Sequence, residues 1–390
     1  MQDFDAIVVG GGPAGSTAAR HLIKAGQRVV VLDRETFPRV KLCAGWLSEP
    51  IWDALELAPT DYPRGLWTWD RCHVSYKGLS TSVDVRGHFI RRVEFDDYLL
   101  ARSGAEVIQH AVKSIVPERG HWIVDDKFRA PYLVGAGGTH CPVARILQPT
   151  RTERAVGCQE LEFEAGSAEV AATRIGKDGE PELLLHDDFG GYSWNVPKSD
   201  WLNVGCGTMD ARRVRGSWTA ARDYFTEAGH LPLVAEERLD HAKGHSYFLY
   251  DPAHLGACER DQAFLVGDSL GLAQPLTAEG ILPSVLSGRL AAEAIIARDP
   301  ARYRTGLAAH PVLRDYDLFY RLRMAGSRLK DRAKAGPPSR WSLPSSALLT
   351  ALGNAAVAKG FGWMFAGKPV PARRALHHLI SRLPTAGARS

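Results

Sequence analysis

No stretch of this 390-residue sequence approaches the roughly 18 consecutive apolar residues that a membrane-spanning helix needs, so none is expected. A secretory leader is not expected either: Asp3 precedes a first apolar run that begins at Ala6. The six cysteines, at positions 43, 72, 141, 158, 206 and 258, form no Cys-x-x-Cys and no metal-type pairing with histidine. No metal site is therefore expected, and without a leader the thiols read as reduced, in a cytoplasmic protein. Internal repeats and low-complexity segments are absent too, which excludes a repeat architecture.

Charge is not scarce, but it is unevenly placed. The formal net charge is +4. Residues 301–390 hold 16 Lys and Arg against three acids, a net +13, while the remainder holds 32 against 41, a net −9. A basic C-terminal quarter suits an anionic partner: a membrane surface, a diphosphate or nucleic acid. The alternative is a solvated basic helix surface that offsets the acidic body.

The most informative stretch runs from Asp5 to Arg34. Ala6 to Val9 is a short apolar run suited to a buried parallel strand. Gly10, Gly12 and Gly15, with Pro13 and Ala14 between them, form a GxGxxG turn. In that motif the first glycine makes the tight bend, the second lets backbone approach a pyrophosphate, and the third lets the next helix lie close to the strand. A second strand, Val29 to Leu32, ends at Asp33, where a carboxylate can accept from ribose hydroxyls; Arg34 follows. The pyrophosphate is expected at the helix N-terminus, where free N–H groups favour an anion. The motif alone leaves FAD and NAD both open.

Further along, Arg34 to Ser48 reads as an irregular loop beside the cofactor, carrying Cys43, Ala44 and Gly45. Trp67 to Val85 reads as strands of a second sheet, and Arg92 opens a helix with acids in its first turn. Strands are expected at 106–115, 121–124, 129–132, 156–164, 168–175, 181–186, 191–196 and 201–206, the last five forming a meander. A helix from Trp218 is expected to be capped by Ser217 and ended by Gly229, and another is expected over 282–298. The last 90 residues read as mostly helical.

Taken together, these stretches resemble the geranylgeranyl reductase family, within the wider class of FAD enzymes built like para-hydroxybenzoate hydroxylase. The GxGxxG with Asp33, the Arg92-x-x-Phe95-Asp96 segment, and Val266-Gly267-Asp268 through Pro275 to Gly280-Ile281 match three FAD motifs of that class. Tyr192-x-Trp194-x-Val196-Pro197, seven residues, then Gly205-x-Gly207 is similar to the reductases' substrate motif, and Lys41-x-Cys43-Ala44-Gly45 to their cysteine loop. The departures are Val196 for Phe, Ala44 for Gly, Ala278 for Gly, and Gly137 where the class usually has an Asp that helps position FAD and NADPH.

The resemblance implies an α/β fold: a Rossmann-like FAD-binding domain with an inserted, mostly antiparallel β-sheet substrate domain and a helical C-terminal part. The expected pieces are 1–66, 92–155 and 255–300 for FAD, 67–91 and 156–254 for substrate, and 301–390 as the basic helical region. It implies FAD as cofactor, with NAD(P)H or a reduced ferredoxin-like protein as electron source. FAD contacts are expected from Gly10, Gly12, Pro13, Ala14, Gly15, Asp33, Arg34, Cys43, Ala44, Arg92, Gly267, Asp268, Gly280 and Ile281. Substrate contacts are expected from Tyr192, Trp194, Pro197, Gly205 and Gly207, and a catalytic role from Cys43.

The reaction this implies is reduction of carbon–carbon double bonds in an isoprenoid or other hydrophobic substrate. The alternatives are a monooxygenase or halogenase, for which Lys77 is the nearest candidate lysine, and a non-catalytic redox or assembly protein. Partners are then a hydrophobic or lipid substrate, an electron-donor protein and peripheral contact with an anionic membrane. No nucleic-acid partner is expected.

Overall fold

The computed structural model describes residues 1–324 apart from 152–154, 174, 176–177 and 233–234. Its core is a six-stranded sheet in the order Glu259–Arg260, Ala263–Leu265, Tyr132–Gly135, Ala6–Val9, Val29–Asp33 and Glu106–Gln109. Every pairing is parallel except that of the first two strands. Ala6–Val9 and Val29–Asp33 are buried along their whole length, as strands covered on both faces must be. The helices Pro13–Lys24 and Ile281–Ile296 pack together against this sheet. They approach so closely that a Cβ on Gly288 would lie 2.2 Å from the Ala14 carbonyl oxygen.

A small four-stranded sheet, Gln2–Asp3, Phe128–Ala130, His121–Val124 and Ile115–Glu118, flanks the first. The third sheet has eight strands: Lys243–Tyr247, Val156–Glu164, Trp201–Thr208, Gly191–Lys198, Glu182–Leu185, Trp67–Tyr76, Leu79–Phe89 and Trp46–Ser48. All its pairings are antiparallel except that of Glu182–Leu185 with Trp67–Tyr76. Alternation along its strands gives it two apolar faces. One carries Trp46, Trp69, Phe89, Leu183, Trp194 and Val196. The other packs Phe163, Leu202, Val204 and Cys206 against the helix Val214–Glu227.

Three local expectations need correction. The strand expected over 168–175 is not formed at its start: Ser167–Ala171 is a helix, because Ala168 and Ala171, with Ala172 at the C-cap, outweigh the β preference of Val170. The strand expected over 106–115 stops at Gln109. There the Asp125 carboxylate takes the backbone N–H groups of Lys113 and Ser114, so this backbone leaves the ladder. Ser217 is no helix cap, since the helix begins at Val214 after a turn that the Asp210 side chain caps. Gly229 does end that helix, with φ +69°. The basic region beyond residue 324, with Trp363 and its neighbours, lies outside the described residues.

Candidate functional site

The carboxyl ends of Ala6–Val9 and Val29–Asp33 open onto a cavity of about 740 Å³ that reaches the apolar face of the eight-stranded sheet. At the strand end, Gly10 has φ +110° and the helix N-cap is Gly12. No side chain caps this helix, and no acid stands in its first turn. A Cβ on Gly12 would find only an Arg39 guanidinium nitrogen, at 3.5 Å. The result is a cradle of backbone N–H groups left free for an anion. Gly15 lies beneath it, where a Cβ would meet the Gly10 carbonyl oxygen at 1.9 Å. The Asp33 carboxylate accepts from the Gly11 N–H at 2.7 Å and the Glu35 N–H at 2.9 Å, which fixes it at the rim.

Of the expected FAD residues, Gly10, Gly12, Pro13, Ala14, Asp33, Arg34, Cys43, Ala44, Arg92, Asp268, Gly280 and Ile281 all line this one cavity. Gly15 and Gly267 do not; they lie behind it. Gly267 donates its N–H to Ser287 Oγ at 2.9 Å, and a Cβ there would press on Ser284 and Ala14. Arg92 forms a two-pronged pair with Asp96, at 2.7 and 2.6 Å, and Arg39 reaches the same fully buried carboxylate at 3.3 Å. These features fit FAD: an uncapped helix for the pyrophosphate, an anchored acid for the ribose, and Asp268 with the Gly280–Ile281 backbone on the far wall.

On the sheet side, Tyr192 and Trp194 point the same way from one strand, their ring centroids 5.9 Å apart, and both line the cavity. The Tyr192 hydroxyl donates to the Thr277 carbonyl at 2.5 Å, tying this wall to the segment before Gly280. Pro197, Gly205 and Gly207, also expected to meet substrate, do not line the cavity. Gly205 pairs with both Trp194 and Glu160 in neighbouring strands, and a Cβ on it would strike the indole at 2.2 Å. The Gly-x-Gly segment thus clears a trough in which the Trp194 ring lies against the sheet.

Cys43 lines the same cavity. Its carbonyl accepts from Asn203 Nδ2 at 3.3 Å, and Asn203 Oδ1 accepts from the Trp194 indole N–H at 2.7 Å. Its backbone amide favours the carboxylate form of Glu160, and its thiol favours the charged form of the Arg92 guanidinium, so both groups are neighbours of Cys43. Gly45 follows with φ +71°, and a Cβ there would lie 2.0 Å from the Ile90 carbonyl oxygen. The same carbonyl accepts from Lys198 Nζ at 2.9 Å, and Lys198 also pairs with Glu162 at 2.6 Å.

Sequence reasoning missed Glu160, Glu279, His245, Tyr247, Asn203 and Lys198. Burial pushes the Glu160 carboxyl up to about 7, against the pull of Lys198 and Lys41. Burial raises Glu279 to about 7 as well, although it accepts from Ser48 Oγ at 2.7 Å. Burial lowers His245 to about 3, leaving it neutral. Lys77, the candidate halogenation lysine, is in the turn between Trp67–Tyr76 and Leu79–Phe89, with its ammonium over the Tyr76 ring, and does not line the cavity. Among the described residues there is no cluster of acids, histidines and cysteines that could hold a metal. No described helix is long and apolar enough to cross a membrane.

Residues 5–73 match a family model described as FAD dependent oxidoreductase. An uncharacterized protein of Methanosarcina barkeri is 31% identical over 317 residues, 76% of this chain and 75% of that one. A digeranylgeranylglycerophospholipid reductase of Methanopyrus kandleri is 28% identical over 320 residues, 75% of this chain and 80% of that one. A solved structure of a geranylgeranyl bacteriochlorophyll reductase-like protein from Thermoplasma acidophilum superposes with a TM-score of 0.65 at 18% identity, covering 98% of this chain and 97% of that one.

Proposed function

We propose that this chain, an FAD-dependent oxidoreductase whose relatives include a digeranylgeranylglycerophospholipid reductase, saturates carbon–carbon double bonds of an isoprenoid lipid. The observation that carries this reading is the continuity of the cavity. The FAD cradle and the apolar residues Tyr192, Trp194, Leu183 and Trp46 border one continuous space, and Cys43 lines that same space. An isolated alkene offers no charge for an enzyme to grip, so catalysis rests on holding the chain in place.

Bound and reduced, FAD supplies hydride to one alkene carbon. The protein's share is the rest. The Gly10–Gly15 turn and Asp33 would hold the nucleotide, and Asp268 with the Gly280–Ile281 backbone would hold the rest of the cofactor. The rings of Tyr192 and Trp194 lay the lipid along the sheet and exclude water. The Cys43 thiol gives a proton to the second carbon, and the nearby Arg92 guanidinium steadies the thiolate left behind.

Anaerobic incubation of the reduced holoprotein with polyprenyl lipids, with products read by mass, tests the reading. Products two hydrogens heavier support it. Incorporation of oxygen or halide in an aerobic arm instead would overturn it. Cys43→Ala should keep the flavin spectrum and lower turnover by roughly 10²-fold or more, the usual scale for a positioned acid. Unchanged steady-state turnover in that variant would remove the thiol from the mechanism.

For the electron source we propose a small reduced ferredoxin-like protein rather than direct NADPH docking. The support is Gly137, which lines the cavity where the class carries an acid. Stopped-flow reduction of the flavin should be slower with NADPH than with dithionite or reduced ferredoxin. Equal or faster reduction by NADPH would defeat this choice.

A further inference from the structure

We infer that Glu160 is the proton reservoir of the cavity, returning a proton to the Cys43 thiolate after each reduction. The inference rests on the reading of Cys43 given above and adds the residue that resets it.

Glu160 lies on the strand Val156–Glu164 and lines the cavity beside Cys158 and Cys43. It is only 1% exposed. Cys43 lines the same cavity, and its backbone amide favours the Glu160 carboxylate, so the two residues are neighbours there. The Glu160 oxygen Oε2 is buried with no partner. A buried carboxylate with an unpaired oxygen costs more than a carboxylic acid, whose O–H can be given away.

The groups around it settle which form prevails. Lys198, from Gly191–Lys198, and Lys41, from the cysteine loop, pull towards the carboxylate, while Glu162 on its own strand pushes the other way. Cys158 and Cys206 are thiols held neutral by burial. Lys243 is opposite Glu160 in the adjacent strand but exposed, and His245 beyond it is neutral. Desolvation outweighs the two lysines and places the carboxyl at about 7.

The atoms balance. The Cys43 S–H bond breaks as a C–H bond forms on the carbon that did not take hydride. The Glu160 O–H bond then breaks as S–H re-forms, and the carboxylate recovers a proton from solvent through the cavity mouth. No oxidant or reductant beyond the hydride source is needed.

The test is Glu160→Gln, which keeps the shape of the side chain but carries no acidic proton. Holoprotein pre-reduced and kept reduced by excess dithionite is mixed with a polyprenyl lipid and quenched for product. The variant should form about one product per site at the wild-type rate and then fall roughly 10²-fold behind in the steady state. Glu160→Asp should restore part of the steady-state rate, and wild-type steady-state turnover should decline as pH rises through 7. A variant matching wild type in both phases overturns the reservoir and leaves the reductase reading standing. A wild type that oxygenates the lipid instead overturns both.

A second measurement needs no turnover. A carboxyl whose folded pKa exceeds its unfolded value stabilises the fold fully below the unfolded pKa, and that share is lost as pH rises through the folded pKa. Between about pH 4.5 and 7, wild-type Tm should therefore fall more steeply than that of Glu160→Gln. Identical slopes would show that Glu160 holds no proton there and overturn the inference.

Discussion

Gly12→Glu should give a folded but colourless protein. Gly12 is the N-cap of Pro13–Lys24 and has extended backbone, φ −71° and ψ −176°, which any residue can adopt. A side chain there meets nothing but the Arg39 guanidinium, so the fold has no reason to fail. The added carboxylate would enter the space meant for a pyrophosphate, satisfy the free N–H groups and pair with Arg39. It would bring an internal anion to a site that attracts an external one. FAD affinity should fall at least about 100-fold, close to 3 kcal/mol, while the circular dichroism spectrum is unchanged. Gly15→Val is the contrasting control: its side chain would strike the Gly10 carbonyl, so it should lose FAD and stability together. A yellow Gly12→Glu protein with one FAD per chain would refute this account of the cradle.

The nucleotide half of the fold was legible because its rules are local. A strand, three glycines at fixed spacing, a helix and an acid follow one another within 30 residues, and each has one physical reason to be there. Tyr192 and Trp194 were legible because the period of a strand places alternate residues on one face. Glu160 was not. Along Val156–Glu164 it alternates with Glu162 and Glu164, which reads as the wetted edge of an amphipathic strand. Only the arrival of the cysteine loop, some 115 residues earlier in the chain, turns that edge into a cavity wall. Gly205 and Gly207 were legible as a motif but not as a mechanism, since their task depends on an indole from the neighbouring strand. Asn203 escaped for the same reason: its amide links Trp194 to Cys43, residues far apart in the chain.

Lys198→Met should be the most destabilising single change at the site that leaves the FAD cradle untouched. Lys198 is fully buried, and its ammonium bridges Glu162 at 2.6 Å and the Ile90 carbonyl at 2.9 Å. Removing one member of a buried pair strands the other charge, which typically costs about 3–5 kcal/mol. Glu162 is 21% exposed and Arg91 lies 3.6 Å from its other oxygen, so the cost should fall at or just below the bottom of that range, about 2–3 kcal/mol. The damage has a direction. Ile90 also donates its N–H to the Gly45 carbonyl at 2.9 Å, so loosening Lys198 loosens the cysteine loop. Thermal unfolding should drop by several degrees, and the Michaelis constant for the lipid should rise more than FAD affinity falls. Pairing the change with Glu162→Leu separates charge from packing. If the stranded carboxylate is the cause, the double variant regains much of the lost stability, because an apolar pair of similar volume replaces a salt bridge at little cost. If Lys198→Met melts within a degree of wild type, the buried pair does not anchor the loop, and the placement of Cys43 must rest on Asn203 and Glu160 alone.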